Sequence, residues 1–334
     1  MNIAIVGATG NVGRKLLEVL EKLNFKFEQL YLIASDKSIG KKISFKNKNY
    51  SIVGLNDFDF SKVHIAFFSA GSAIAEKWAP IAAKKTVVID NSKYFRMDKD
   101  VPLVVPEVNP SSLALYKNKN IVANANCSTI QLVLALKPLH DQFNIKRVVT
   151  STYQSVSGAG KNHMLELEEQ TKSILENKKT QPKNFTKQIA FNVIPHIDMF
   201  MDDGSTKEEW KMVVETKKFF DEKINLTASC VRVPVFVGHS ESVNIEFNNN
   251  INLEKIKNCL MSAPGCKVVD EHKDGGYITP AEVDGDYKTY ISRIREDKTQ
   301  KNSINMWVVS DNLLKGAALN AVQIAELLCE NYLK

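Results

Sequence analysis

An apolar run, I-A-I-V behind Asn2, covers positions 2–6, and apolar residues then recur at Leu16, Leu17, Val19, Leu20 and Leu23, with a glycine-rich stretch between the two patterns. The first run reads as a buried strand, and the second has the spacing of one helix face, so a helix is predicted over 14–23. Further apolar runs at 29–34, 64–68 and 86–90 are each reached through a polar or helical connection, as when a chain crosses between parallel strands. The first third is therefore expected to be a doubly wound α/β layer. Beyond residue 126 the texture changes. Residues 130–139 read as an apolar helix stopping near Pro138, whereas 146–156, 227–237 and 242–247 alternate like strands of an open antiparallel sheet. At 315–328 small and apolar residues, among them Ala317, Ala318, Ala321 and Leu328, fall at helical spacing, which suits close packing against the first domain.

Composition narrows the function more than the fold. The chain has 334 residues, 44% hydrophobic and 25% charged, which implies two domains or one large one and excludes disordered or collagen-like architectures. Its longest apolar stretches, 130–136 and 306–309, are too short to cross a bilayer, and the start lacks a basic export leader, so a cytoplasmic protein is expected. The net charge of +6 comes from lysines dispersed among acids, which argues against nucleic-acid binding and for, at most, a mild attraction to anionic small molecules. Five cysteines without a C-x-x-C pair exclude a disulfide framework and a zinc ribbon and leave at least one thiol free; no metal set is expected. Residues 46–49 and 177–187 read as solvated loops.

Two segments carry chemistry. Gly7-Ala8-Thr9-Gly10-Asn11-Val12-Gly13 sets a glycine at every third position between strand and helix, the arrangement that lets backbone approach a pyrophosphate at a helix N-terminus. After the second strand, Ser35, Asp36, Lys37, Ser38, Lys41 and Lys42 offer hydroxyls and cations to a 2′-phosphate, with Asp36 pointing instead to a ribose 2′-hydroxyl; a plain solvated lysine loop fits the same residues. Cys127 directly precedes the apolar helix, with Ser128 or Thr129 as cap, so its sulfur is expected at a helix N-terminus, where free N–H groups favour the thiolate. Cys230, Cys259, Cys266 and Cys329 have no such setting and read as buried structural residues.

A thiolate, a nicotinamide nucleotide and an anion pocket together describe hydride transfer to an acyl thioester. The segments G-A-T-G-N-V-G, D-N-S-K-Y-F-R-M, V-P-L-V-V-P-E-V-N, N-A-N-C-S-T, T-Y-Q-S-V-S-G-A-G, E-E-W-K-M, R-V-P-V-F-V-G-H-S-E-S and D-N-L-L-K-G-A-A-L-N-A run in order from residue 7 to about 325. With them the chain closely resembles the aspartate-semialdehyde dehydrogenase family over essentially its whole length. The resemblance implies a Rossmann-like NADP-binding domain at 1–126, completed by a C-terminal helix at 313–334, and an α+β catalytic and dimerisation domain with a mostly antiparallel sheet at 127–312. It also implies a homodimer in the cytoplasm, acting on small molecules in lysine, threonine and methionine biosynthesis.

Carried over by position, the resemblance makes Cys127 the nucleophile, His239 the acid/base and Gln154 a substrate-orienting amide. Glu208 and Arg232 would hold the substrate's amino and carboxylate ends, and Arg96 and Lys211 its phosphate. Thr9, Gly10, Asn11 and Val12 match the pyrophosphate loop, Lys37 and Ser38 the 2′-phosphate site, Ser157 and Gly158 the nicotinamide side, and Asn312 a late cofactor contact. Read alone, His239 fits a polar side chain at a turn equally well, and Glu208 with Lys211, three apart on one helix face, fits a surface ion pair. The chain departs from the family pattern twice. Lys37 stands where the motif has arginine, keeping charge but not the planar fork, and 69–73 holds one glycine where two are usual. The implied reaction is NADPH-dependent reduction of aspartyl phosphate to the semialdehyde through a Cys127 thioester. Two rivals remain: reduction of N-acetylglutamyl phosphate, which has no ammonium for Glu208 to meet, and a non-catalytic NADP sensor, which needs no reactive thiol.

Overall fold

The computed structural model describes residues 1–220 and 222–333; Asp221, within the predicted second domain, and Lys334, the last residue of the predicted C-terminal helix, lie outside the described residues. The chain divides into two compact units, one formed by Met1–Ala125 with the segment from Ala317 onward, the other by Asn126–Gly316.

The first unit is built on β1 (Asn2–Val6), α1 (Asn11–Lys22), β2 (Gln29–Ala34), β3 (Lys42–Phe45), β4 (Lys48–Gly54), β5 (Ile65–Phe68), α2 (Ser72–Ala83), β6 (Val87–Asp90), β7 (Leu103–Val104) and β8 (Ile121–Asn124). Its sheet runs β3-β4-β2-β1-β5-β6-β8-β7, parallel throughout except for the β3–β4 hairpin. The chain winds outward from β1 in both directions, so the loop after β1 stands at the topological switch point, where such sheets open a crevice. Helix α1 starts at Asn11, earlier than predicted, because its first turn contains the buried Gly13, which has no side chain for periodicity to register. Residues 46–49 are exposed as expected, but they are not a loop throughout. Lys46 and Asn47, with φ of 46° and 60°, form the two-residue turn of the hairpin, and Lys48 already begins β4.

The second unit contains α3 (Cys127–Phe143), β9 (Ile145–Gln154), α4 (Lys161–Leu175), α5 (Lys207–Phe219), β10 (Asn225–Arg232), β11 (His239–Phe247), α6 (Leu253–Met261), β12 (Cys266–Val268), α7 (Pro280–Val283), β13 (Thr289–Glu296) and β14 (Ser303–Ser310). Its sheet runs β10-β9-β11-β14-β13-β12; the four central strands are antiparallel, while the edge strands β10 and β12 join parallel. The predicted strand at 227–237 ends at Arg232, since Pro234 has no N–H to continue the ladder. Helix α3 does not stop near Pro138 but runs through it to Phe143. The carbonyl that Pro138 leaves without its helical donor is that of Leu134, and the Cys266 thiol donates to it at 3.7 Å.

The segment predicted as a helix from residue 315 begins instead as one π-helical turn, Leu314–Ala318, and becomes α8 (Leu319–Asn331), which packs on α1 within the first unit. Among the described residues no helix is long and apolar enough to cross a membrane.

Candidate active site

In the first unit the three loop glycines do different work. Gly7 has φ 89°, and a Cβ there would lie 2.7 Å from the Ser69 carbonyl; at Gly13 a Cβ would lie 2.3 Å from Gly7 O. Glycine is needed at position 7 so that the loop can pass the segment after β5, and at position 13 so that α1 can close on the loop's own backbone. Gly10 caps α1, and a Cβ there would meet only Gly7 O, at 3.4 Å. With no acidic residue in the first turn of α1, this end presents its dipole and N–H groups to a cleft of about 570 Å³. Thr9 and Gly10 line the cleft at the loop and Ser35 and Asp36 at the end of β2; Leu55 and Trp78 give it an apolar wall that the sequence had not signalled. A dinucleotide with two phosphates and a flat base fits that lining. Asn11 and Val12 form the first turn of α1, half-buried; Lys37 and Ser38 stand on the short turn after β2, with Lys37 exposed.

Arg96, also in the first unit, is 7% exposed. Its guanidinium donates to Asn124 O at 2.9 Å and Asn91 O at 3.1 Å. Those two asparagines are joined side chain to side chain at 2.6 Å, and Asn320 of α8 donates to Asn124 Oδ1 at 2.7 Å. The sequence reading missed this asparagine frame, whose members are far apart along the chain.

The second unit gathers most of the remaining candidates. Cys127 is the first residue of α3 and half-buried. Neither Ser128 nor Thr129 caps the helix: Asn126 does, its Oδ1 accepting from Ser128 N at 2.9 Å and Thr129 N at 3.3 Å, because the helix begins at Cys127, three residues before the predicted start at Ile130. Gly316 is pressed against the cysteine; a Cβ on it would lie 2.8 Å from Cys127 Cβ. Of the other cysteines, Cys230, Cys259 and Cys266 are buried as expected, but Cys329 is only half-buried, its thiol 3.5 Å from Met1 Sδ. Burial pushes the Cys230, Cys259 and Cys329 thiols up, away from ionisation.

Gln154 and Arg232 end the paired strands β9 and β10 directly opposite each other, and His239 opens β11. Glu208 and Lys211 share one face of α5 as predicted, yet they form no surface pair. Glu208 is 4% exposed; its Oε2 lies 2.5 Å from Lys211 Nζ, and its Oε1 accepts from Asn126 Nδ2 at 2.9 Å and Gln154 Nε2 at 3.2 Å. Burial alone would raise this carboxyl, but Lys211, Asn126 and Arg232 outweigh it and hold it at about 2. Lys211 also meets Asp198 at 3.1 Å, and Glu215, two helical turns beyond Glu208, accepts from Asn126 N at 2.7 Å. Neither acid was picked out from sequence, although the seven-residue spacing from Glu208 would have placed Glu215 on the same face.

Arg232 donates to Ser155 O at 2.7 Å; burial lowers its pKa, while Glu208 and the Cys127 sulfur act the other way. Coulomb interaction is mutual, so the guanidinium favours an ionised Cys127. His239 is fully buried. Burial first, and Arg232 second, hold its imidazole down at about 3, so the ring is neutral at ordinary pH. Its Nδ1 accepts from Ser155 N at 3.0 Å. A Cβ on Gly158 would sit 3.1 Å from His239 Nε2 and 3.4 Å from Arg232 Nη1, so glycine leaves space over both groups. Ser157 and Asn312 are buried nearby, joined to each other and to Ser155 by side-chain hydrogen bonds.

The arrangement can thus ionise a sulfur, hold an ammonium against Glu208 and offer a neutral imidazole beside a cation. Residues 2–116 match the family model described as the NAD binding domain of semialdehyde dehydrogenase, and residues 136–315 match its dimerisation domain. The aspartate-semialdehyde dehydrogenase of Aquifex aeolicus (strain VF5) is 52% identical, covering 98% of this chain and 97% of its own. Aspartate semialdehyde dehydrogenase II of Vibrio cholerae, solved in complex with ASA, is 48% identical with a TM-score of 0.97 over 99% of this chain and 98% of its own. The aspartate semialdehyde dehydrogenase of Candida albicans, solved with NADP, is 28% identical with a TM-score of 0.75 over 98% of each chain.

Proposed function

The chain belongs to the aspartate-semialdehyde dehydrogenase family, and on that premise we propose that it reduces L-aspartyl-4-phosphate to L-aspartate 4-semialdehyde, reversibly and with NADPH. The observation that carries the reading is Cys127 at the start of α3, within Coulomb range of the Arg232 guanidinium and in the same unit as the buried Glu208, Gln154 and His239.

In the reductive direction the Cys127 thiolate attacks the β-carbonyl carbon; the carbon–oxygen bond to phosphate breaks, and a thioester remains on the sulfur. Bound NADPH supplies the hydride that reduces this thioester. Glu208, ionised, receives the substrate's ammonium, which an acetylated amine would lack, and Arg232 its carboxylate by planar pairing. Gln154 orients the carbonyl, and His239 lends and recovers a proton at Nε2 as the tetrahedral oxygen gains and loses charge. Arg96 and Lys211 receive the phosphate, Lys211 with two carboxylates already within reach of its ammonium. Thr9, Gly10, Asn11 and Val12 are assigned to the pyrophosphate, Lys37 and Ser38 to the 2′-phosphate, and Ser157, Gly158 and Asn312 to the nicotinamide end.

On the same reading, residues 1–126 with the C-terminal helix hold NADP, and 127–312 carry catalysis and the contact of a cytoplasmic homodimer, whose products feed lysine, threonine and methionine synthesis. No nucleic acid or membrane takes part. The test is reduction of NADP by aspartate semialdehyde, followed by nicotinamide absorbance. The rate should depend on added phosphate and vanish when N-acetylglutamate semialdehyde replaces the substrate; a phosphate-independent rate, or equal rates with both aldehydes, overturns the assignment.

A further inference from the structure

We infer that Asn312 is a positioning residue, which fixes the His239 ring so that its proton sits on Nε2, the nitrogen facing Gly158. The argument starts from what each atom can do. A backbone N–H only donates, so the Ser155 N–H, 3.0 Å from His239 Nδ1, favours Nδ1 as an unprotonated acceptor over the alternative in which Nδ1–H donates to Ser155 Oγ, 3.1 Å away. The single proton of the neutral ring is then on Nε2, which is buried and has no hydrogen-bond partner within the protein. A buried donor left unpaired is costly, and its natural partner is an oxygen brought in with the substrate.

Two chain segments must stay in register for that geometry: the end of β9, which carries Ser155, and the turn that delivers His239 into β11. Asn312 joins them. Its Oδ1 accepts from Gly238 N, one residue before the histidine, at 2.9 Å, and from Ser155 Oγ at 3.0 Å. Its Nδ2 donates to Ser157 Oγ at 2.9 Å, tying in the loop that carries Gly158. Through these bonds the Asn312 amide, only 2% exposed, holds protein segments together, in addition to its assigned place at the nicotinamide end. The charged groups acting on the ring are Arg232 and Glu208, and neither contacts Nδ1, so backbone geometry and not an ion pair selects the tautomer.

Resting on the reaction proposed above, this gives His239 a definite first act. Its Nε2–H donates a hydrogen bond to the substrate oxygen as the carbonyl becomes tetrahedral and that oxygen gains negative charge, and releases it when the carbon–sulfur bond breaks to give aldehyde and thiolate. A ring with its proton on Nδ1 would meet the same oxygen with a lone pair.

The experiment is nitrogen-15 NMR of imidazole-labelled full-length protein, with His239 assigned by difference from His239→Gln. The unmodified protein should show a single neutral Nε2–H tautomer. Asn312→Ala should show a mixture of tautomers, with kcat lowered by about tenfold to a hundredfold and the semialdehyde KM changed far less. Should that variant fail to fold, Asn312→Ser, whose hydroxyl is too short to bridge Gly238 and Ser155, carries the same test. An Nδ1–H ring in the unmodified protein, or an unaltered tautomer in a folded Asn312 variant, overturns the inference. The spectrum is read without turnover, so failure of the proposed reaction would show separately, as inactive unmodified enzyme.

Discussion

In the first unit the groups assigned to the cofactor are backbone N–H groups at the start of α1 and the side chains of the exposed Lys37 and half-buried Ser38, with Asp36 exposed beside them, whereas in the second unit Glu208, Lys211, Arg232 and His239 are between 0% and 8% exposed. The difference decides how each unit responds to change. An exposed side chain over an open cleft can be exchanged without disturbing its neighbours, because water screens what is lost. A buried charge is held only by its partners, so removing one strands the other.

The contrast is broken most severely by Glu208→Gln. That change takes from the buried Lys211 the carboxylate 2.5 Å from its Nζ and should cost about 3–5 kcal/mol of unfolding free energy, measured by urea denaturation. A loss like that of a surface ion pair would mean the pair is solvated. Arg96→Ala comes next. It removes a charge-assisted hydrogen bond worth about 1.5–3 kcal/mol, so the phosphate KM should rise about tenfold to a hundredfold in the oxidative assay. An unchanged phosphate KM takes Arg96 out of the anion site.

Acid sharpens the comparison from the other side. Glu208 is held at about 2 against an ordinary 4.5, so its contribution to stability is complete above about 4.5 and is lost as the pH falls through 2. His239 is held at about 3 against 6.5; the unfolded chain takes up its proton first, so this group destabilises the fold progressively as the pH falls from 6.5 toward 3. Both signs agree. Acid unfolding followed by circular dichroism should be displaced to lower pH in His239→Gln, which has no imidazole to protonate. The smallest effect belongs to the first unit: Asp36→Ser should move the kcat/KM ratio of NADP over NAD upward by a few-fold, about 1 kcal/mol, with little effect on stability. An unchanged ratio would show that Asp36 does not read the ribose.

What could be read from sequence follows the same division. The loop from Gly7 to Gly13 and Cys127 beside its helix are local patterns, in which neighbours along the chain are neighbours in space. Glu208 and Lys211 were visible as one helix face for the same reason, but their burial was not, since Asn126, Gln154 and Asp198 arrive from other elements. The Leu134 carbonyl that Pro138 leaves free in α3 is met by the Cys266 thiol, across 132 residues of sequence. The asparagine frame around Arg96 and the contact of Gly316 with Cys127 are likewise long-range, and no spacing announces them. The hairpin at Lys46 and Asn47 was missed for another reason. Its two-residue turn contains no glycine, so lysine and asparagine with positive φ look like a charged loop.

The central claim is that the Cys127 sulfur carries the acyl group, and a rapid-mixing experiment tests it most directly. Enzyme, NADP and aspartate semialdehyde are combined without phosphate, and NADPH formation and intact protein mass are recorded together. The account predicts a burst of about one NADPH per active site, an acyl adduct on Cys127, and neither in Cys127→Ala. Turnover without an adduct, or a burst that survives the alanine substitution, would contradict it.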